Sequence, residues 1–273
     1  MMLLGLILVS SGGAMAQTRY SSVPSTIEGR MAQVGRDADP TRLARFVAAA
    51  QAMLGLPFDN DATDSYPERL VVNVDALGYV SYVEYALAYA LTLEEHEPSA
   101  AKYHAQVQQM RYRGGVVDGY GSRVLYPTEW AQQLIDRGIL REVRLGGNRS
   151  HTRPIDYVSS HVDHFPMLQR DPSQLSVIKA SEERLCSTSL GYLPTEKVER
   201  SLSAIRTGDI ILFSSLDEGV DYHFVGVALI EGEKLMFMHA SVAMKNAVIQ
   251  REGLLMFLQR QSTIDGITVL RLQ

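Results

Sequence analysis

The spacing of apolar residues predicts helices in the first part of the chain. Residues 41–54 carry apolar side chains at helical spacing, and Gly55 and Pro57 follow as a stop signal. Residues 80–93 are rich in Ala, Leu and Tyr on every face, which is typical of a buried helix. Three further helices are predicted at residues 98–110, 127–137 and 194–205.

The pattern changes after residue 206, where short β-branched and aromatic runs alternate with turn-like polar segments. Strands are predicted at residues 209–214, 224–230, 234–239 and 266–272, with residues 247–250 as a further candidate and a short helix at 253–261. Helices followed by a meandering antiparallel sheet indicate an α+β fold. Residues 144–175 lack clear periodicity and are expected to form a long surface excursion.

The start of the chain resembles a secretory signal peptide. An apolar run at residues 2–10 precedes the small-residue pattern Ala14-Met15-Ala16, which predicts cleavage after Ala16. The absence of Lys or Arg before the run leaves a short membrane anchor or a mis-started gene as alternatives. The run is too short to span a bilayer, so the mature chain is expected to have no membrane span. We therefore expect an exported, periplasmic protein with residues 1–16 as signal peptide, 17–40 as a loose lead-in and 41–273 as one domain.

Composition narrows the class of protein further. The chain has 273 residues, of which 46% are hydrophobic and 21% charged, as in an ordinary globular protein. The net charge of −5 lacks the basic excess of a nucleic-acid-binding module, so no nucleic-acid partner is expected. Cys186 is the only cysteine, which excludes an intrachain disulfide and a cysteine-cage metal site.

Few residues outside the predicted helices are clear candidates for a nucleophile or a metal ligand. Cys186 lacks a visible activating framework, so a structural role is favoured over that of a nucleophile. His161, Asp163 and His164 form a small cluster between two prolines, which favours a solvated loop over a metal site. Neither a serine-hydrolase elbow nor a phosphate-binding loop occurs. We expect no metal and no cofactor.

The order of several segments resembles a known family. They read NVDALGYVSYVEYALAYAL (73–91), MRYRGG (110–115), SRVLYPTEW (122–130), TGDIILFSSLDEGVDYHFVGVAL (207–229), MHAS (238–241) and GITVLRL (266–272). Together they resemble the N-acetylmuramoyl-L-alanine amidase-like domains, a family of the NlpC-type, papain-like cysteine peptidases. The resemblance runs from about residue 40 to the C-terminus. It implies a papain-like fold, with helices packed on a C-terminal antiparallel sheet, and a peptidoglycan fragment or a cell-envelope protein as partner.

The resemblance also implies catalytic positions, and two of them are substituted here. The family's catalytic cysteine falls on Tyr79 and its general base on Phe224, whereas its third polar group matches His239. A phenol with a pKa of about 10 is a poor nucleophile, and a phenyl ring accepts no proton. The family's histidine in the Arg-x-His-Tyr loop is Leu125. His223 precedes the base position and is expected to face away from the groove unless a β-bulge shifts the strand.

The framework around these positions is retained and predicts a binding groove. Aromatic side chains are expected to stack on sugar or peptide, and Arg113 or Arg123 to hold a carboxylate. The predicted ligand-binding residues are Tyr82, Arg113, Arg123, Tyr126, Trp130, Asp221, His223 and Ser241.

Three hypotheses follow from this pattern. The favoured one is a catalytically inactive amidase-like protein of the cell envelope that binds peptidoglycan fragments or regulates a cell-wall partner. The second is an active peptidoglycan amide hydrolase with relocated chemistry, through His223, His239 and Cys186. The third is an interaction scaffold whose groove is closed by Tyr79 and Phe224.

Overall fold

A computed structural model describes residues 24–146, 149–150, 154–188 and 190–273. The predicted signal peptide at residues 1–16 lies outside these residues, as does the first part of the predicted lead-in. The helices are α1 (Ile27–Asp37), α2 (Arg42–Ala52), α3 (Tyr79–Thr92), α4 (Ala100–Arg111), α5 (Pro127–Asp136), α6 (Tyr157–Ser160), α7 (Pro166–Arg170), α8 (Leu175–Leu185), α9 (Thr195–Val198) and α10 (Leu254–Arg260). The strands are β1 (Leu140–Glu142), β2 (Arg149–Ser150), β3 (Gly191–Pro194), β4 (Ile210–Ser215), β5 (Tyr222–Glu231), β6 (Lys234–Ser241), β7 (Asn246–Gln250) and β8 (Ile264–Leu272).

The strands form one mixed-length antiparallel sheet. Its order is β2-β3-β8-β4-β5-β6-β7, and β1 pairs with β8 beside β3. The consecutive strands β4 to β7 form the predicted meander, because short polar turns join them. Helices followed by this antiparallel sheet confirm the predicted α+β class.

Helix α3 lies at the centre of the main core. It is buried along most of its length and packs on β5 and β6 on one side and on α2 and α4 on the other. The continuous apolar sequence explains this position, since a helix that is apolar all round is stable only when other elements cover every face. The N-terminus of α3 emerges from the core at Tyr79, where the Ser81 hydroxyl accepts a hydrogen bond from the Gly78 backbone N–H at 2.7 Å.

Residues 27–37 form a helix rather than the loose lead-in that their polar composition predicts. Thr26 caps α1 by accepting a hydrogen bond from the Gly29 N–H, and Met31 and Val34 are buried in the main core. Arg30 is also buried, where its guanidinium binds the Val74 carbonyl and Asp75. Only a narrow face of α1 is buried and most of its residues are polar, so the composition alone predicts a loose segment.

Residues 154–175 also differ from the surface excursion expected of them. Short helices α6 and α7 pack with α8 around a small separate core that includes Ile155, Val158 and Leu168. The segment lacks periodicity because each helix is only about one turn long. It forms one wall of the cleft described below. No helix in the described part of the chain is long and apolar enough to cross a membrane.

Candidate functional site

A cleft of about 440 Å³ opens at the N-terminus of α3. Three parts of the chain enclose it: the start of α3, the first residues of β5, and the segment from α6 to α7. The loop before α5 forms its floor. The cleft therefore lies where the amidase resemblance places a catalytic centre.

The three positions that the resemblance assigns to catalysis follow one another across this region. The rings of Tyr79 and Phe224 lie with centroids 6.4 Å apart, and the centroids of Phe224 and His239 are 5.0 Å apart. Phe58 packs edge-on against the other side of Tyr79, at 4.8 Å. Burial raises the pKa of the Tyr79 phenol, so its hydroxyl is neutral near pH 7. Tyr79 and Phe224 both line the cleft and present aromatic surface there.

His223 lies in a β-bulge between β4 and β5. Phe213 pairs with Phe224, but the next residue of β4, Ser214, pairs with Tyr222, which leaves His223 as the extra residue. His223 and Phe224 consequently both line the cleft. The β-bulge that was the stated exception to strand alternation is therefore present, and His223 does not face away from the cleft.

Hydrogen bonds hold the His223 ring at the rim of the cleft. Its Nε2 lies 2.9 Å from the Thr263 carbonyl and 3.2 Å from Ser215 Oγ. The Asp217 carboxylate is 3.5 Å from the same nitrogen. Donation from Nε2 to the carbonyl leaves Nδ1 as the acceptor of the neutral ring.

Neither predicted carboxylate-binding arginine has a free guanidinium. Arg123 lines the cleft, but its three nitrogens bind Glu68 Oε1 at 2.9 Å, Asp64 Oδ1 at 2.8 Å and the Thr63 carbonyl at 2.8 Å. Arg113 lies outside the cleft lining and binds the Glu129 carboxylate and the Gly121 carbonyl. The structure thus corrects the expectation that either residue holds a ligand carboxylate, because protein acceptors already occupy both.

The floor of the cleft is buried, and Asp221 and Tyr126 in it are hydrogen-bonded to other parts of the chain. Asp221 accepts hydrogen bonds from the backbone N–H groups of Thr128 and Tyr222, both at 2.8 Å, and burial raises its pKa to about 6. The Tyr126 hydroxyl donates to Glu182 at 2.7 Å. Trp130 is only 2% exposed. These side chains shape the floor and offer a ligand little free surface.

Three other predicted residues lie outside the cleft lining. Tyr82 is fully buried, and its hydroxyl donates to the Ala50 carbonyl at 2.8 Å. Ser241 is buried at the end of β6, where its hydroxyl accepts from the Met244 N–H at 3.2 Å. His239 lies behind Phe224 and is 6% exposed. The expectation that Tyr82 and Ser241 touch ligand is therefore corrected, since the core encloses both.

The structure adds cleft residues that the sequence argument did not assign. Tyr157, His164 and Phe165 line the wall formed by α6, α7 and the turn between them. On the opposite side, Tyr120 lies beneath the Arg123 guanidinium, 5.2 Å from ring centre to guanidinium carbon. The sequence signals at these positions are the glycines and tyrosines of residues 111–126 and the cluster of His161, Asp163 and His164. Neither signal shows which wall of the cleft its side chains join.

Cys186 lies at the end of α8 and is exposed. It is not among the residues that line the cleft. The described residues contain no group of three or more potential metal ligands.

Several solved structures share the fold of this chain. An N-acetylmuramoyl-L-alanine amidase from Bacteroides uniformis ATCC 8492 is 30% identical, with a TM-score of 0.78 over 86% of this chain and 100% of that one. A proposed xylanase from Bacteroides fragilis is 27% identical, with a TM-score of 0.76 over 82% of this chain and 99% of that one. A Legionella pneumophila protein shares the fold at 16% identity, with a TM-score of 0.63 over 89% of this chain and 91% of that one.

The family assignment follows from the sequence match. The model of the AmiA-like family, described as N-acetylmuramoyl-L-alanine amidase-like, matches residues 48–266. The chain belongs to this family. A search of curated proteins gave no match.

Proposed function

We propose that this chain is an exported, periplasmic amidase-like protein that binds peptidoglycan fragments without hydrolysing them. On this proposal the fold is the papain-like fold of NlpC-type peptidases, with the cleft at the N-terminus of α3 as the retained substrate groove. The family match and the amidase-like neighbours support a cell-wall role.

The pairing of Tyr79 with Phe224 carries the proposal. Amide hydrolysis by a papain-like enzyme needs a thiolate at the helix N-terminus and an imidazole that takes its proton. A neutral phenol and a phenyl ring occupy those two positions in this chain, 6.4 Å apart. Neither group activates a nucleophile, whereas both provide flat apolar surface for a sugar ring or a peptide.

The position of Cys186 weighs against relocated chemistry. The thiol would have to share the cleft with His223 or His239 to act as a nucleophile. Cys186 is instead exposed at the C-terminal end of α8, and His239 is buried behind Phe224. A cleft of about 440 Å³ likewise favours binding over a scaffold with a closed groove.

Retention on purified sacculi tests the binding half of the proposal. We expect the full chain to sediment with sacculi and the Tyr79→Ala variant to sediment about tenfold less, because the stacking surface is removed. Met244→Ala is the matched control, since Met244 is 62% exposed on the β6–β7 turn and away from the cleft lining. Equal retention of the two variants, or none of the parent chain, would contradict the proposal.

Incubation with soluble muropeptides tests the absence of hydrolysis. We expect no release of stem peptide when products are separated by mass spectrometry. Release that persists in a second preparation would establish an active enzyme. Loss of that release in Cys186→Ala would then assign the chemistry to the thiol.

A further inference from the structure

The arginines that line the cleft are already neutralised by carboxylates of the chain. Arg111 pairs with Glu84, and Arg123 pairs with Asp64 and Glu68. Within the described chain, these two arginines are the only Arg or Lys residues of the lining. A ligand carboxylate would therefore lose its hydration in the cleft without gaining a free guanidinium or ammonium group as a partner.

The carboxylates of the lining are committed in the same way. Glu84 and Asp64 bind the two arginines. Each oxygen of Asp221 accepts a backbone hydrogen bond at 2.8 Å, and the residue is buried. Asp61 is the remaining carboxylate of the lining and is exposed. A single exposed carboxylate contributes little to binding a cation in water, so the cleft favours an uncharged ligand.

Aromatic rings form the accessible apolar surface of the cleft. Tyr79 and Phe224 lie on the walls formed by α3 and β5, and Tyr157 and Phe165 lie on the wall formed by α6 and α7. His161 stacks on the Tyr157 ring, with centroids 4.3 Å apart, and so supports it. Flat rings of this kind pack against the C–H faces of a sugar ring.

Two imidazoles add hydrogen-bonding groups at the cleft. The Tyr157 hydroxyl lies 3.0 Å from His164 Nδ1, and its donation there places the proton of the neutral ring on Nε2. This Nε2 is 3.8 Å from the Asp163 carboxylate, too far for a hydrogen bond, and the side chain is 53% exposed. Nδ1 of the neutral His223 ring is an acceptor. The cleft thus offers one donor and one acceptor, which hydroxyl and acetamido groups match.

We propose that the cleft binds the N-acetylated sugar strand of peptidoglycan in preference to its stem peptide. This inference rests on the proposed function, because it names the part of the fragment that the same cleft accepts. N-acetylated amino sugars are uncharged and have apolar ring faces bordered by hydroxyl and acetamido groups. The stem peptide carries free carboxylates, for which the described lining has no unpaired arginine or lysine.

Calorimetric titration of the full chain with two soluble probes tests the inference. The probes are triacetylchitotriose, which is an uncharged trimer of N-acetylglucosamine, and the peptide L-Ala-γ-D-Glu-L-Lys-D-Ala. Titration at about pH 8 keeps an ordinary imidazole uncharged. We expect the trisaccharide to bind about tenfold more tightly than the peptide. Its affinity should stay constant as salt is raised, because no ion pair forms.

Variants locate the sugar in the cleft. His164→Ala and His223→Ala should each weaken trisaccharide binding about fivefold, because each removes one hydrogen-bonding nitrogen. His96→Ala is the matched control, since His96 is exposed beyond the C-terminal end of α3 and outside the cleft lining. Should His223→Ala disturb the β-bulge, His164→Ala decides the question, because its side chain is exposed.

The outcomes separate this inference from the proposed function. Equal or tighter binding of the peptide overturns the assignment to sugar, and so does trisaccharide binding that His164→Ala leaves unchanged. Sacculus retention without trisaccharide binding overturns the inference and leaves the proposed function standing. Failure to bind sacculi and both probes overturns the proposed function and the inference with it.

Discussion

The histidine behind Phe224 shows how one side chain is altered by its surroundings. His239 is 6% exposed, and Phe224 and Phe237 each lie 5.0 Å from it between ring centroids. Neither ring nitrogen has a hydrogen-bond partner of ordinary geometry in the described chain. Burial lowers its pKa to about 4, an effect that outweighs the opposing influence of the nearby Gln250 side chain.

Lowering the pH should therefore destabilise the protein through His239. Between pH 6.5 and about 4 the unfolded chain binds a proton at this residue and the folded chain does not, so the free energy of unfolding falls as pH falls. In the parent chain, His239 should lower the free energy of unfolding by on the order of 2–3 kcal/mol between pH 7 and pH 4. The His239→Phe variant should lose this contribution. Urea unfolding at several pH values measures it.

Asp221 supplies the internal comparison, because its pKa is shifted the other way. Its folded pKa of about 6 lies above the ordinary 3.8, so its contribution to stability falls as pH rises from about 4 to 6. Asp221→Asn should make the pH dependence of the free energy of unfolding steeper than in the parent chain, whereas His239→Phe should flatten it. Parallel curves for all three proteins would refute this assignment.

Single residues also mark the limit of what the sequence predicts. The proximity of Tyr79 and Phe224 was expected from the family resemblance, because it depends on the backbone alone. The ion pairs of Arg113 and Arg123 were not expected, because their carboxylate partners lie 16 and 55 residues away along the chain. Charge pairing over such distances leaves no local pattern in the sequence.

At the scale of elements, a buried ion pair joins α3 to α4. Arg111 at the end of α4 binds Glu84 in α3 at 2.5 Å, and both side chains are less than a tenth exposed. Glu84 stands among apolar neighbours in the sequence, and a buried carboxylate in such a setting needs a partner. The pair fixes the two helices beside the cleft, whose lining includes both residues.

Removing one member of this pair should destabilise the fold strongly. Glu84→Gln leaves the Arg111 guanidinium buried without its counter-charge, at an expected cost of about 3–5 kcal/mol in the free energy of unfolding. The control is Glu94→Gln at the partly exposed Arg42–Glu94 pair, where we expect a cost below about 1 kcal/mol. Chemical denaturation measures the free energy of unfolding of both variants. A similar loss of stability in the two would show that burial does not determine how much the Glu84–Arg111 pair contributes.

Elements were predictable where their own sequence stabilises them. The predicted strands from residue 209 onward correspond to β4–β8, because alternation and turn residues are local signals. Helices α6 and α7 were missed, since so short a helix forms only through its contacts with the rest of the small core around Leu168.

On the scale of the whole molecule, the folded unit extends beyond the family match. The match begins at residue 48, yet α1 at Ile27–Asp37 contributes Met31 and Val34 to the main core. Arg30 joins the same helix to the loop at Val74 and Asp75. The boundary predicted at residue 41 therefore cuts through a packed structure.

A chain that begins at residue 41 should be less stable than one that begins at residue 24. The shorter chain uncovers the core surface beneath Met31 and Val34, a loss on the order of 3 kcal/mol in the free energy of unfolding. Thermal unfolding of the two purified proteins measures the difference. Indistinguishable midpoints would show that α1 adds nothing to the fold.

The β-bulge in β5 has a consequence for redesign of the cleft. Strict alternation would give the strand only every second position at the groove, whereas the extra residue places His223 and Phe224 there together. Under the proposed binding function, substitutions at position 223 should change ligand selectivity while the aromatic contact at position 224 stays intact. Two adjacent residues of one strand can therefore be redesigned at the edge of an existing cleft.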